Sequence, residues 1–153
     1  MANIFRDKKY ASIYERLVEN ETGYGQKIFA NYKELMVFAA MVGFYNGQKE
    51  SEMDKSFEIP QRIFESDQQD SYIYLCAVHD KKDGEIFREK NNLECWSVFQ
   101  AYANGGLEII NNWLIESPGD IDGVDTILNQ IKIVAADFNE VSEEPSNLDA
   151  IDW

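Results

Sequence analysis

Apolar residues return at intervals of three and four along most of this chain, which predicts a structure built mainly from helices. Tyr10, Ile13, Tyr14, Leu17 and Val18 fall on one helical face and predict a helix over about 8–20, with Asp7 placed to cap it. Gly23 and Gly25 break the pattern. Residues 26–30 are short, partly apolar and preceded by glycine, which fits either a brief strand or an extended approach to the next helix. Asn31-Tyr32-Lys33-Glu34 then has the form of a capping box ahead of 35–42, a run apolar on nearly every side. That run predicts a central helix, stopped by a left-handed glycine at Gly47.

Phe57, Ile59, Ile63 and Phe64 around Pro60 predict an extended connector pinned to the core, with room for a second short strand. A third helix is expected over about 69–79, ended by the solvated turn 80–84. From Asn92 one register, Leu93, Trp96, Ala103, Leu107, Ile110 and Leu114, continues straight through Gly105-Gly106. Two glycines inside a helix cost about 1 kcal/mol each relative to alanine, so close approach of another helix is the reason expected for them. After Ser117-Pro118-Gly119, a last helix over about 122–139 is predicted to bury Val124, Ile127, Leu128, Ile131, Val134, Ala135 and Phe138. Asp120, Asp122 and Asp125 suit its positive end. The predicted fold is a mainly α, compact single-domain bundle of about five helices over 1–140, allowing one short β-ribbon. An acidic tail with the composition of a disordered segment follows over 141–153.

A chain of 153 residues with 44% hydrophobic and 13% aromatic content supports one ordinary core without disulfides or metals. No signal-like apolar run opens it and none is long enough for a membrane span, so a cytoplasmic protein with no membrane partner is expected. Cys76 and Cys95 sit apart inside apolar helical patterns and read as reduced core thiols. Residues 1–62 hold nine basic and nine acidic side chains while 63–153 hold five and nineteen, so the whole net charge of −14 belongs to the second part. Such a surface repels phosphate and favours a basic protein partner.

Catalytic chemistry finds little to stand on. His79 is the sole histidine, which removes paired-histidine metal sites and histidine relays. Cys76 and His79 share a helical spacing that suits a thiol and its base, against the commoner case of a buried cysteine beside a helix-terminal histidine. Asp80 with Asp83, and Asp120 with Asp122, lack calcium-loop spacing and read as turn and cap residues. No phosphate loop, dinucleotide fingerprint or nucleophile elbow is present, so neither a catalytic residue nor a cofactor or metal is assigned.

Three binding features remain. Residues 26–31 followed by a capped helix suit a ribbon-helix-helix element, in which Lys8, Lys9, Lys27 and Lys33 would be the candidate phosphate contacts, with an ordinary loop before a core helix as an alternative of at least equal weight. Trp96, Phe99, Tyr102 and Trp113 are core candidates numerous enough to leave some for a homodimer. In the tail, Leu148, Ile151 and Trp153 amid acids have the form of a docking peptide, with a solubilising end as the equal alternative.

The stretches IFANYKELMVFAAMVGFYNG at 28–47 and YANGGLEII at 102–110 resemble the small accessory proteins associated with bacterial Dnd DNA-phosphorothioation systems. That resemblance implies a defence context in which DNA carrying backbone sulfur is distinguished from invading DNA, and it supplies no catalytic residues. With the acidic second half, it favours a non-enzymatic adaptor contacting protein subunits of a modification or restriction complex over a direct DNA reader. The alternative is an acidic mimic of DNA that occupies a restriction or other nucleic-acid enzyme.

Overall fold

Asp7 ends a strand and starts a helix at one residue. A computed structural model of the chain describes residues 2–66, 68–82, 84–88 and 91–143. Strand β1, Asn3–Asp7, passes directly into the helical segment 8–19, here α1, and the Asp7 carboxylate accepts from the Lys9 amide at 3.1 Å. Helix α1 begins as a 3-10 turn and closes as a π turn over Glu15–Glu19. Its predicted face, Tyr10, Ile13, Tyr14, Leu17 and Val18, is buried throughout. Strand β2, Lys55–Pro60, pairs antiparallel with β1, placing Ile4 opposite Ile59, with an irregularity between Phe5 and Asp7. The ribbon therefore lies elsewhere than 26–31. Those residues form bends instead, because Phe29 donates its amide to the Leu17 carbonyl at 2.9 Å, turning the segment onto the end of α1.

Helix α2, Tyr32–Asn46, starts as expected: Asn31 accepts from the Glu34 amide at 3.0 Å, and the Glu34 carboxylate reaches back to the Ala30 amide at 3.0 Å. Gly47 closes it with φ of 65°. Short α3, Gln61–Ser66, follows β2, then α4, Asp70–Lys81. A 3-10 turn, Gly84–Phe87, leads to α5, Asn92–Glu116, which runs unbroken through Gly105 and Gly106. Trp96, Phe99 and Tyr102 are core residues and Trp113 is half-buried.

Helices α2 and α5 form the centre, and their backbones touch. A β-carbon on Gly106 would lie 1.7 Å from the Ala39 carbonyl oxygen, and one on Gly43 would lie 2.1 Å from that of Tyr102. At Gly105 the obstacle is the Gln48 carbonyl, 2.2 Å away. Close approach is thus the reason for the paired glycines.

Helix α6, Val124–Glu143, extends beyond residue 140 and departs from expectation in its packing. Ile127 is buried and Val124 and Val134 are half-buried, but Leu128, Ile131, Ala135 and Phe138 are exposed. The helix is tied down at its first turns: Thr126 donates both its amide and its hydroxyl to Asp120, at 2.7 and 2.6 Å. Arg16 donates to the Asp120 carbonyl at 2.6 Å. Periodicity correctly identified an apolar face, but no described element lies over its second half.

Helix propensity alone makes Gly106→Ala stabilising by about 1 kcal/mol. The backbone oxygen facing it reverses the sign: Gly106→Ala should lose about 3 kcal/mol or more in urea unfolding, while Gly119→Ala, with open space around it, should stay within about 0.5 kcal/mol.

Candidate functional site

The second half of α6 faces the C-terminal half of α2 across an apolar groove of about 620 Å³. Phe38 and Met41 from α2, Trp113 from α5, and Ile131, Val134 and Phe138 from α6 line it. Ile131 and Phe138 remain 47% and 65% exposed, and Ile133 on the same helix 54%. Polar groups stand beside it, where the Tyr45 hydroxyl donates to the Asp137 carboxylate at 3.1 Å and joins the far part of α6 to α2. The spacing of 131, 134 and 138 foretold an amphipathic helix; which element would leave it uncovered depends on the path of the chain between α5 and α6.

The four candidate phosphate contacts do not form one basic face. Lys8 and Lys9 are exposed at the start of α1, but Lys8 Nζ is 3.8 Å from Asp54 and Lys9 Nζ is 3.8 Å from Asp7. Lys27 is exposed among the bends before α2. Lys33 is a correction: only 5% exposed, it is buried in the first turn of the central helix and is not presented to a backbone phosphate. Together with the absence of a strand at 26–31, this removes the geometry of a ribbon-helix-helix reader. Leu148, Ile151 and Trp153 lie outside the described residues.

A cationic side chain the sequence reading missed does important work nearby. Arg6 of β1 is buried, with its guanidinium 3.9 Å from the centre of the Tyr32 ring and 4.6 Å from that of Phe57. It fastens the sheet to the start of α2. Only the alternation of Ile4, Arg6 and the following aspartate hinted at such a placement.

Cys76 and His79 share α4 but occupy different surroundings. Cys76 is fully buried, and burial pushes its thiol up to about 12, so it is held as the neutral thiol. His79 is exposed, with its ring 4.5 Å from that of Phe44. Cys95 is also buried and donates to the Ile86 carbonyl at 3.2 Å. Asp80 is engaged by Lys49 and by the Tyr102 hydroxyl, the latter at 3.3 Å, and the Lys49 ammonium bonded to it holds its carboxyl below the usual range. Asp122 serves as a cap, accepting from the Val124 amide at 3.1 Å and from Gly23 across the loop at 3.1 Å. Among the described residues no group of three or more His, Cys, Asp or Glu is arranged to hold a metal ion, and no helix is long and apolar enough to cross a membrane.

The fold and its surfaces define a mainly helical single domain with a two-stranded antiparallel sheet and an open apolar groove. A family model described as DNA sulphur modification system-associated protein 4 matches residues 3–149, and the chain belongs to that family. No curated protein and no solved structure matches the chain.

Burial of Cys76 is directly measurable. With a thiol held near 12, about one molecule in ten thousand carries the thiolate at pH 8, so iodoacetamide should modify it no faster than the protein unfolds. The unfolded thiol ionises near 9.0, so its contribution to stability is complete below that pH and is lost as pH rises towards about 12. Rapid modification of the native protein at pH 8 would return Cys76 to the candidate nucleophiles.

Proposed function

We propose that this chain is a non-enzymatic accessory protein of a DNA sulphur modification and restriction system, acting in defence through contacts with the system's protein subunits. The observation that carries the reading is family membership over 3–149. Two further features support it. The net charge of −14 disfavours adhesion to DNA, and the open apolar face of α6 is the kind of surface that protein partners cover. A decoy imitating DNA would need its carboxylates free and regularly displayed. Several here are already committed, Asp7, Asp120 and Asp122 to capping amides and Asp80 to Lys49, which favours the adaptor over the mimic.

The test is reconstitution. The full chain, mixed with each purified modification and restriction subunit encoded with it, should co-migrate with at least one in sedimentation velocity at physiological salt. It should not shift a duplex of about 20 base pairs, with or without backbone sulfur. Binding to DNA alone would overturn the adaptor and restore a direct reader; binding to a nuclease subunit in competition with DNA would establish the mimic.

A further inference from the structure

We infer that the groove between α2, Trp113 and α6 receives an amphipathic helix from a partner protein, apolar on the face it inserts and bearing lysine or arginine along its flank. The inference rests on the adaptor reading and assigns the surface by which the adaptor would work.

The shape argues for a helix. From Leu128 to Phe138 the α6 wall runs about 15 Å, or roughly three turns, enough to meet side chains at positions i, i+4 and i+7 of an inserted helix. The groove walls are side chains of helices, which already bond their own backbone groups, and the floor offers no strand edge. An extended peptide would leave its amides unpaired against Phe38, Met41 and Ile131, whereas a helix satisfies them internally. Half-buried Trp113 and Phe38 in its lining are the large aromatics that anchor such contacts.

Charge decides among the occupants. Along α6 itself the sequence places four acidic residues, Asp125, Asp137, Glu140 and Glu143, against one basic residue, Lys132. The groove's own charged margin is Asp137. A second copy would bring the same acidic helix against this one, and residues 144–153, with Glu144, Asp149 and Asp152, would likewise set acids against acids. A partner helix with a basic flank meets both the apolar floor and the acidic margin. An anionic membrane surface is disfavoured by the same charges.

The experiment uses the full chain against each purified subunit of the modification and restriction system. Ile131→Glu and Phe138→Glu replace exposed groove residues and should leave the fold intact, which circular dichroism and urea unfolding verify. Ile121→Glu, at an apolar position 86% exposed and outside the groove, is the control. Each groove variant should weaken subunit binding at least about tenfold while the control stays within about twofold. A photo-crosslinker at position 133 should map to a lysine- or arginine-flanked amphipathic helix, and affinity should fall as salt rises. If a subunit binds and the groove variants bind equally well, or if the crosslink maps to an acidic or extended segment, the groove assignment fails while the adaptor survives. If no subunit binds, the adaptor reading fails and the groove assignment with it. If the wild-type chain self-associates and Ile131→Glu abolishes this, the occupant is a second copy and the partner helix is overturned.

Discussion

The contact of α2 with α5, backbone against backbone, is the constraint from which the remaining arrangement follows. Where Gly43 meets the Tyr102 carbonyl and Gly106 meets that of Ala39, a single methyl group would separate the helices. Because they approach so closely, the chain leaving α2 lies across α5 at Gly105, and the Glu50 amide donates to the Ala101 carbonyl at 2.9 Å. The Asn104 side chain, fully buried, donates to the Glu50 carbonyl at 3.1 Å. Gln100, one turn earlier, bonds both the amide and the carbonyl of Phe5, at 2.6 and 3.0 Å. The paired glycines thus fix where β2 can begin and, through Gln100 and Asn104, where β1 must lie. The side-chain amides of Gln100 and Asn104 are both answered by partners, so this polar seam adds specificity.

The parts of this fold legible in the sequence were those determined within a few residues. Asp7 and Asn31 cap the helices they were expected to cap, Gly47 stops α2, and the three-and-four spacing locates α1, α2, α4 and α5. Even the glycine pair was interpretable, because a cost of about 1 kcal/mol per glycine in an uninterrupted apolar register calls for a compensating contact. Strand β2 falls where room for a short strand was read around Phe57 and Ile59, but its partner β1 was illegible, for the opposite reason. Strand β1 is five residues containing two charges, and it exists because the distant segment Lys55–Pro60 pairs with it and because Arg6 is enclosed by Tyr32 and Phe57. Local pattern carries no record of a non-local partner. Lys33 was misjudged similarly: lysine is ordinarily exposed, and only the packing of the central helix covers it.

For the candidate site, spacing announced the apolar face of α6 but not its exposure. Amphipathicity states that a helix has something to cover; the cover itself is a matter of how many neighbours the chain supplies. Here α5 packs mainly on α2 and α4, and the loop before α6 meets α1 at Gly123, whose β-carbon position lies 3.3 Å from Leu17 and from Leu114. The result is a helix whose N-terminal turns are the more densely bonded. The acidic composition also changes meaning once placed, since Asp7, Asp80, Asp120 and Asp122 are structural, and the charge left for recognition is correspondingly smaller than −14 suggests.

These two facts bear on one another. A helix whose first turns are held by Thr126, Asp120 and Arg16, and whose second half rests on Tyr45 and an open groove, has its stability concentrated at the N-terminal end. Burying the side chains of Ile131, Ile133 and Phe138 releases apolar area worth about 1.5–3 kcal/mol each when coverage is complete. Most of that gain is available only to a partner, because the chain has no further described element to place there. Whatever covers α6 therefore buries apolar area that the described residues leave open, and such binding would stabilise the folded domain. The glycine seam sets the opposite wall: with α2 and α5 in backbone contact, Phe38, Met41 and Trp113 are held in one register along the groove.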